Sequence, residues 1–199
     1  MATIRIISIF FFFTLTYSYS LFAGTTIGLQ TASWSINQAS IKRLELLKIY
    51  RKEIGTKEKS NRNDGSQIES YLKYTGHSKG APWCAAFVSW CLGKAGINNP
   101  RSAWSPALLP QKRIIWKNTW QQEKIQPQAG DVFGIWYAAK KRIAHCGFID
   151  TWGESIIITV EGNTNEAGSR EGDGVYRKRR LKRTLYAVAD WVTARGETR

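Results

Sequence analysis

The sequence is short of the residues from which metal centres and disulfide scaffolds are made. It holds two histidines, three cysteines and one methionine in 199 residues. Two histidines leave little material for a His-rich metal site, and three cysteines cannot build a disulfide framework. Acidic residues are scarce as well: 15 Asp and Glu stand against 29 Lys and Arg, a formal net charge of +14. That excess points to an anionic partner without choosing among nucleic acid, lipid headgroups and cell-wall polymers. The strongest apolar run, Ile6 to Phe13, is about half the roughly 20 residues a membrane-spanning helix needs. Neither an internal repeat nor a low-complexity segment is present.

What is there excludes a disordered polycation. Hydrophobic residues make up 43% of the chain, and nine Trp, eight Tyr and eight Phe are among them. Such a chain has enough apolar material for the core of one domain of ordinary size.

Residues 1–23 read as an export signal, either cleaved or kept as an N-terminal anchor. A start carrying only Arg5 leads into the apolar run, and small residues at Ser18, Ser20 and Ala23 offer cleavage points. Losing Arg5 leaves 28 cations against 15 acids, or +13. Export to the periplasm or beyond argues against nucleic acid as the partner. After cleavage no stable membrane span is expected.

Residues 24–38 read as a loose lead-in, 39–193 as one folded domain and 194–199 as a tail. Ile41, Leu44, Leu47, Tyr50 and Ile54 fall at helical spacing and predict an amphipathic helix over 39–54. Ser66 with Glu69 three residues later predicts a capping box opening a short helix to Tyr74. A third helix is predicted from Trp83 to Ala95, with Pro82 in its first turn and Gly96 closing it. After Pro127 the pattern changes to short β-branched and aromatic runs: Val132–Tyr137, Ala144–Trp152, Ser155–Glu161, Val175–Arg179 and Tyr186–Val192. Helices first and an antiparallel sheet afterwards is an α+β plan, with the helices on one face of the sheet.

Three residues in this plan suggest a shared chemistry. Cys84 falls at the start of the third helix, where unpaired N–H groups and the positive end of the dipole favour a thiolate and an oxyanion. His145, near the start of a strand, supplies the base such a thiol needs. If Thr151 pairs with Ser155 across the Trp152-Gly153-Glu154 turn, His145 stands opposite Glu161, which then orients the imidazole. Asn163 has the same strand parity and joins the set. A one-residue change of register would send Glu161 to the other face. If Cys84 and Cys91 share a helix, they lie roughly 10 Å apart, too far for a disulfide. Cys91 with Cys146 stays open.

The order Cys, His, polar orienter is that of papain-like cysteine hydrolases. Trp83-Cys84-Ala85-Ala86-Phe87-Val88-Ser89-Trp90, Ala129-Gly130-Asp131-Val132, Ala144-His145-Cys146-Gly147-Phe148-Ile149 and Val160-Glu161-Gly162-Asn163-Thr164-Asn165 together resemble the CHAP family of cysteine, histidine-dependent amidohydrolases/peptidases. The resemblance runs from about Glu53 to Arg179. It implies a papain-like fold and cleavage of amide bonds in bacterial peptidoglycan, as amidase or endopeptidase. It casts Cys84 as nucleophile, His145 as general base, Glu161 as orienting acid and Asn163 as the nearby polar group.

Trp83, Trp104 and Trp136 are the candidates for stacking on sugar or peptide. Some phage members bind calcium through an Asp-rich loop, but Asn61-Arg62-Asn63-Asp64-Gly65 is a poor ligand set. No metal or other cofactor is expected, and the protein is expected to be a monomer. The run Arg177-Lys178-Arg179-Arg180-Leu181-Lys182-Arg183 reads either as a solvated strand end or as a docking patch for anionic wall polymer. Two other readings share the frame: a catalytically dead wall-binding module, and a cysteine acyltransferase or transpeptidase.

Overall fold

The computed structural model describes residues 37–119, 125–167 and 172–193. The expected export segment and the C-terminal tail lie outside these, as does all of the lead-in except residues 37 and 38, which are already helical. Three helices, α1 (37–52), α2 (Ser66–Tyr74) and α3 (Cys84–Lys94), precede the sheet. The strands are β1 (Ile114–Lys117), β2 (Val132–Tyr137), β3 (Arg142–Thr151), β4 (Ile156–Thr164), β5 (Gly174–Leu181) and β6 (Ala187–Ala189). They form one sheet in the order β1-β6-β2-β3-β4-β5, with every neighbouring pair antiparallel. The fold is α+β, as the order of patterns along the chain required. Among the described residues no helix is long and apolar enough to cross a membrane.

The stripe that α1 buries is only partly the one its apolar spacing suggested: Tyr50 and Leu47 face the core, and Ile41 and Leu44 do not. Leu46 and Tyr50 are fully buried, whereas Ile41 and Leu44 are more than half exposed. The helix is rotated because Arg43 faces inward. Its guanidinium donates to Ala129 O at 2.8 Å, Asp131 Oδ1 at 2.9 Å and Asp190 Oδ1 at 3.1 Å. A core-facing cation is invisible to a pattern that counts only apolar residues. The helix ends at residue 52 and leaves Ile54 outside it.

Two other starts differ in detail. Gly65, not Ser66, is the N-cap of α2, and Glu69 reaches back to the Gly65 N–H at 3.3 Å, so only one half of a capping box forms. Trp83 is the N-cap of α3, which puts Pro82 just outside the helix. Strand β1 has no counterpart in the sequence reading. Its four residues, Ile-Ile-Trp-Lys, are too few for alternation to register.

Two cores flank the sheet. On the helix side Phe148 stacks on Tyr50 at 4.8 Å and meets the Phe87 ring edge-on at 6.0 Å. The opposite face buries Trp116, Phe133, Ile149, Ile157, Leu185 and Val188. Gly162 lets β4 approach the start of α3: a Cβ there would lie 2.6 Å from Trp83 Cζ3 and 2.9 Å from Phe87 Cβ. Gly162→Ala is therefore expected to destabilise the fold by about 1–3 kcal/mol through overpacking. Thermal unfolding reads this as a drop of about 2–4 °C per kcal/mol.

Candidate active site

The site forms where the first turn of α3 meets β3. Cys84 is the first residue of α3, and no side chain caps that helix. Its first-turn N–H groups therefore have neither an intrahelical acceptor nor a side-chain cap. The start of the helix is fixed from behind. Trp83 is fully buried, and its indole N–H donates to Glu58 Oε1 at 2.8 Å. Glu58 Oε2 accepts from the Asn63 N–H at 2.8 Å. Trp83 is thus an anchor in the core and not a surface for substrate. The loop that holds it closes on itself, with Asp64 accepting from the Ser60 N–H at 2.9 Å and the Ser60 hydroxyl at 2.7 Å.

His145 and Glu161 come together through irregular pairing. Against β2, the ladder runs in register from Val132↔Phe148 to Ile135↔His145, then slips so that Trp136 meets Ile143. Ala144 is the extra residue, a bulge immediately before His145. Against β4, the pairs are Phe148↔Val160, Ile149↔Thr159 and then Thr151↔Ile158, with Asp150 the extra residue. Thr151 does not pair with Ser155, because the turn is longer than a three-residue loop. Trp152 packs edge-on against Trp116 at 5.3 Å and draws the strand end into the second core.

Below the Asp150 bulge the register is offset by two residues from the expected one, so parity survives. Glu161 lies abreast of Gly147 and reaches His145 diagonally along the same face. Gly147 makes the reach possible, since a Cβ there would sit 3.0 Å from Glu161 Cγ and 2.8 Å from Val160 O.

The resulting contacts are short. His145 Nε2 is 2.8 Å from Glu161 Oε2, which leaves Nδ1 as the ring nitrogen available to the Cys84 sulfur. Cys84 Sγ is 3.6 Å from Ser105 Oγ, and Cys84 and Cys146 are buried in the same core cluster. All three cysteines are free and buried. The open pairing of Cys91 with Cys146 is therefore not made.

Each charge is set by its neighbours. The Cys84 thiol is held well below its ordinary range by the Cys146 hydrogen bond first, then by His145 and Ser105, against the opposing effect of burial. Burial pulls His145 down, but hydrogen bonds to Cys84 and Glu161 and their charges outweigh it and raise the imidazole to about 9. Burial would also neutralise Glu161, yet Arg180 and His145 keep it well below the usual carboxylate range. These shifts all favour thiolate and imidazolium beside an ionised glutamate.

Arg180 is the participant that sequence reasoning missed. Its Nε donates to Glu161 Oε1, its Nη2 donates to Oε2 at 2.6 Å, and the Thr159 hydroxyl donates to Oε1. The pairing Ile157↔Arg180 puts that guanidinium on the same face as Glu161. Position 180 sits inside the basic run, where nothing local separates it from its neighbours.

The remaining candidates spread out. Asn163 takes a left-handed φ of 53° at a bulge between the Glu161↔Tyr176 and Thr164↔Gly174 pairs. The bulge breaks the parity that placed it with His145, and its amide instead faces Asn63 Oδ1 at 3.5 Å. Trp104, 57% exposed, directly precedes Ser105, and Trp136, 44% exposed, lies next to Ile135, the partner of His145. His77 is exposed, with Nδ1 2.9 Å from Thr75 O. Among the described residues no group of three or more His, Cys, Asp or Glu is placed to hold a metal ion.

Arg180→Met would leave a buried carboxylate facing only His145 and a hydroxyl. A loss of roughly 3 kcal/mol in stability is expected, the low end for breaking a buried pair. In the same variant the alkylation rate of Cys84 should shift along the pH axis, because His145 loses the orientation Glu161 gives it. An unchanged melting temperature and alkylation profile would contradict this role.

Residues 76–163 match the CHAP domain family model. No curated protein and no solved structure matches the chain. The matched stretch holds Cys84, His145, Glu161 and Asn163 and stops short of Arg180. Residues 76–163 are thus similar to a CHAP domain, and they hold the uncapped start of α3 and strands β2 and β3 with most of β4.

Proposed function

We propose that this chain is an exported cysteine hydrolase that cleaves amide bonds in bacterial peptidoglycan, as an N-acetylmuramoyl-L-alanine amidase or a stem or cross-bridge endopeptidase. The observation that carries the reading is the buried chain Cys84–His145–Glu161 at an uncapped helix start. The CHAP match over residues 76–163 supports the hydrolase class and peptidoglycan as substrate, and the apolar segment at 6–13 supports export. A dead binding module has no chemical need for a thiol held below its ordinary range beside a charged imidazole.

The Cys84 thiolate attacks the carbonyl carbon of the scissile amide. The first-turn N–H groups of α3 receive the developing oxyanion, in the position where the dipole also favours it. His145, as imidazolium, protonates the departing amine, and the acyl group remains on Cys84 as a thioester. The now neutral imidazole takes a proton from water, which hydrolyses the thioester. Glu161 holds the ring through Nε2 and keeps Nδ1 turned to the sulfur. Trp104 and Trp136, exposed beside Ser105 and Ile135, offer faces for sugar or peptide, and the positive charge draws the enzyme to an anionic wall surface.

Purified protein and Cys84→Ala are to be incubated with peptidoglycan and the new ends identified by mass spectrometry. Loss of roughly 10⁴–10⁶-fold in rate is expected for the variant. A freed lactyl carboxyl with a new L-Ala amine marks an amidase, and cleavage within the stem marks an endopeptidase. Products joined to an added amine mark transfer. Activity surviving in Cys84→Ala would sink the nucleophile assignment.

The pH dependence follows from the two shifts. Cys84 is depressed, so thiolate persists into acid below the ordinary thiol range. His145 is raised to about 9, so imidazolium persists up to that value. The profile of kcat/KM should be a bell whose alkaline limb lies near pH 9. Iodoacetamide alkylation of Cys84 should remain fast in mild acid. A flat profile across both limbs would contradict the ion pair.

A further inference from the structure

The hydrolytic cycle uses no donor to the sulfur besides the imidazole, yet a second one lies against it. Ser105 is buried, and its hydroxyl oxygen is 3.6 Å from Cys84 Sγ. A thiolate carries no hydrogen, so once Cys84 is ionised the hydroxyl is the donor of this pair.

The backbone that carries this hydroxyl is hung from the helix that carries Cys84. Ser89, fully buried on α3, donates through its hydroxyl to Ser102 O at 2.9 Å and accepts from the Ser102 N–H at 3.2 Å. The Ser102 hydroxyl in turn accepts from the Trp104 N–H at 3.1 Å. Ser105 then opens a single 3₁₀ turn, Ser105–Leu108, with Pro106 near its start, and the fixed φ of proline stiffens that turn. The far end is pinned in the core: Leu108 and Leu109 are buried, and the Trp191 indole N–H donates to Leu108 O at 2.9 Å. Gly134 on β2 makes room for this, since a Cβ there would lie 2.9 Å from Leu109 Cδ1. With the turn fixed at both ends, the hydroxyl loses little freedom in meeting the sulfur.

We propose that Ser105 is a further catalytic residue, whose hydroxyl donates to the Cys84 sulfur and keeps the nucleophile ionised in acid. The proposal rests on Cys84 being the nucleophile and is independent of which wall bond is cut.

A hydrogen bond to a charged acceptor is stronger than one between neutral groups. It acts on one protonation state, favouring thiolate over thiol, and so lowers the pKa. The other groups that bear on the sulfur are His145 and Cys146 of β3, with Glu161 of β4 behind the imidazole. The first turn of α3 holds no acidic residue. His145 supplies positive charge only while it is protonated, up to about pH 9. Ser105 has no charge to lose and acts wherever the thiolate exists. Its effect has a cost, because a thiolate of lower pKa is a weaker nucleophile. The hydroxyl therefore extends the acid range of the enzyme and slows each ionised sulfur a little.

The test needs no wall substrate. Iodoacetamide alkylation of Cys84 is followed against pH in reduced full-length protein, with the labelled peptide identified by mass spectrometry. In Ser105→Ala the acid limb should move up by about one pH unit, the tenfold expected at the low end for a hydrogen bond to a charged group. Above that limb the rate should rise by about threefold, as the sulfur regains nucleophilicity. A packing defect alone would not move the limb and the plateau together in these directions. Ser105→Thr, which keeps a hydroxyl at the position, should return both to the values of the unaltered protein. An unmoved limb in folded Ser105→Ala, or an equal shift in Ser105→Thr, would overturn the proposal. If Ser105→Ala does not fold, a crystal structure of the unaltered reduced protein decides. A hydroxyl turned to the sulfur then supports the role, and one bonded to another acceptor overturns it. A shifted limb in a protein that does not cleave peptidoglycan would overturn the substrate reading alone. Cleavage with an unmoved limb would overturn this proposal alone.

Discussion

A glutamate carboxylate with no exposure to solvent governs the site. An ionised carboxylate is stable at such depth only if cations and donors replace the water it has lost. Around Glu161 the replacements are Arg180 on both oxygens, His145 on one and the Thr159 hydroxyl on the other. That arrangement ties β5 to β4 and β4 to β3 beneath the nucleophile. It also fixes the charge of the imidazole: with anions on either side, His145 keeps its proton despite burial. A neutral or mobile residue at 161 would leave the ring free to turn and the thiol free to take its proton back.

Side chains reach these positions because the strands are interrupted. Ala144 and Asp150 are extra residues in β3, and a third irregularity falls between Glu161 and Thr164 in β4. Each extra residue changes which face the following side chains occupy. The Asp150 bulge also serves the helix side of the sheet. Asp150 accepts from Tyr50 at 3.1 Å, Arg51 at 2.7 Å and Arg177 at 2.8 Å, which pins α1 and β5 across β3. The basic run divides accordingly, with Arg177 bound to an acid on one face of the sheet and Arg180 to an acid on the other. Lys178 is also tied in, donating to Thr164 Oγ1 and the Asn165 carbonyl, so only part of the run is available to an anionic surface.

Much of the fold was legible because it depends on short-range pattern. The position of α3, the limits of β2 and the order of helices before strands follow from periodicity and from Gly and Pro punctuation. The stripe of α1 was legible only in part, since Arg43 occupies a core position through acids on residues 131 and 190, far along the chain. Of the site, Cys84 and His145 were legible as a thiol at a helix start and a histidine near a strand start. Glu161 was placed on the correct face through a hairpin register that the structure does not adopt, the offset of two residues having preserved parity. Asn163 followed the same parity argument and departed from it at the bulge.

The sequence by itself determined the chemistry available: one thiol at a helix start, one strand histidine, an acid of matching parity and a large excess of positive charge. Those follow from residue type and local spacing, which neighbouring residues enforce. Only the tertiary structure decided how that chemistry is tuned. It selected Arg180 from among six cations, turned Trp83 into the core, placed Ser105 against Cys84, and brought Glu161 past Gly147 to the imidazole. These choices depend on register across four strands and on close approach of backbones, and no local stretch of sequence encodes either.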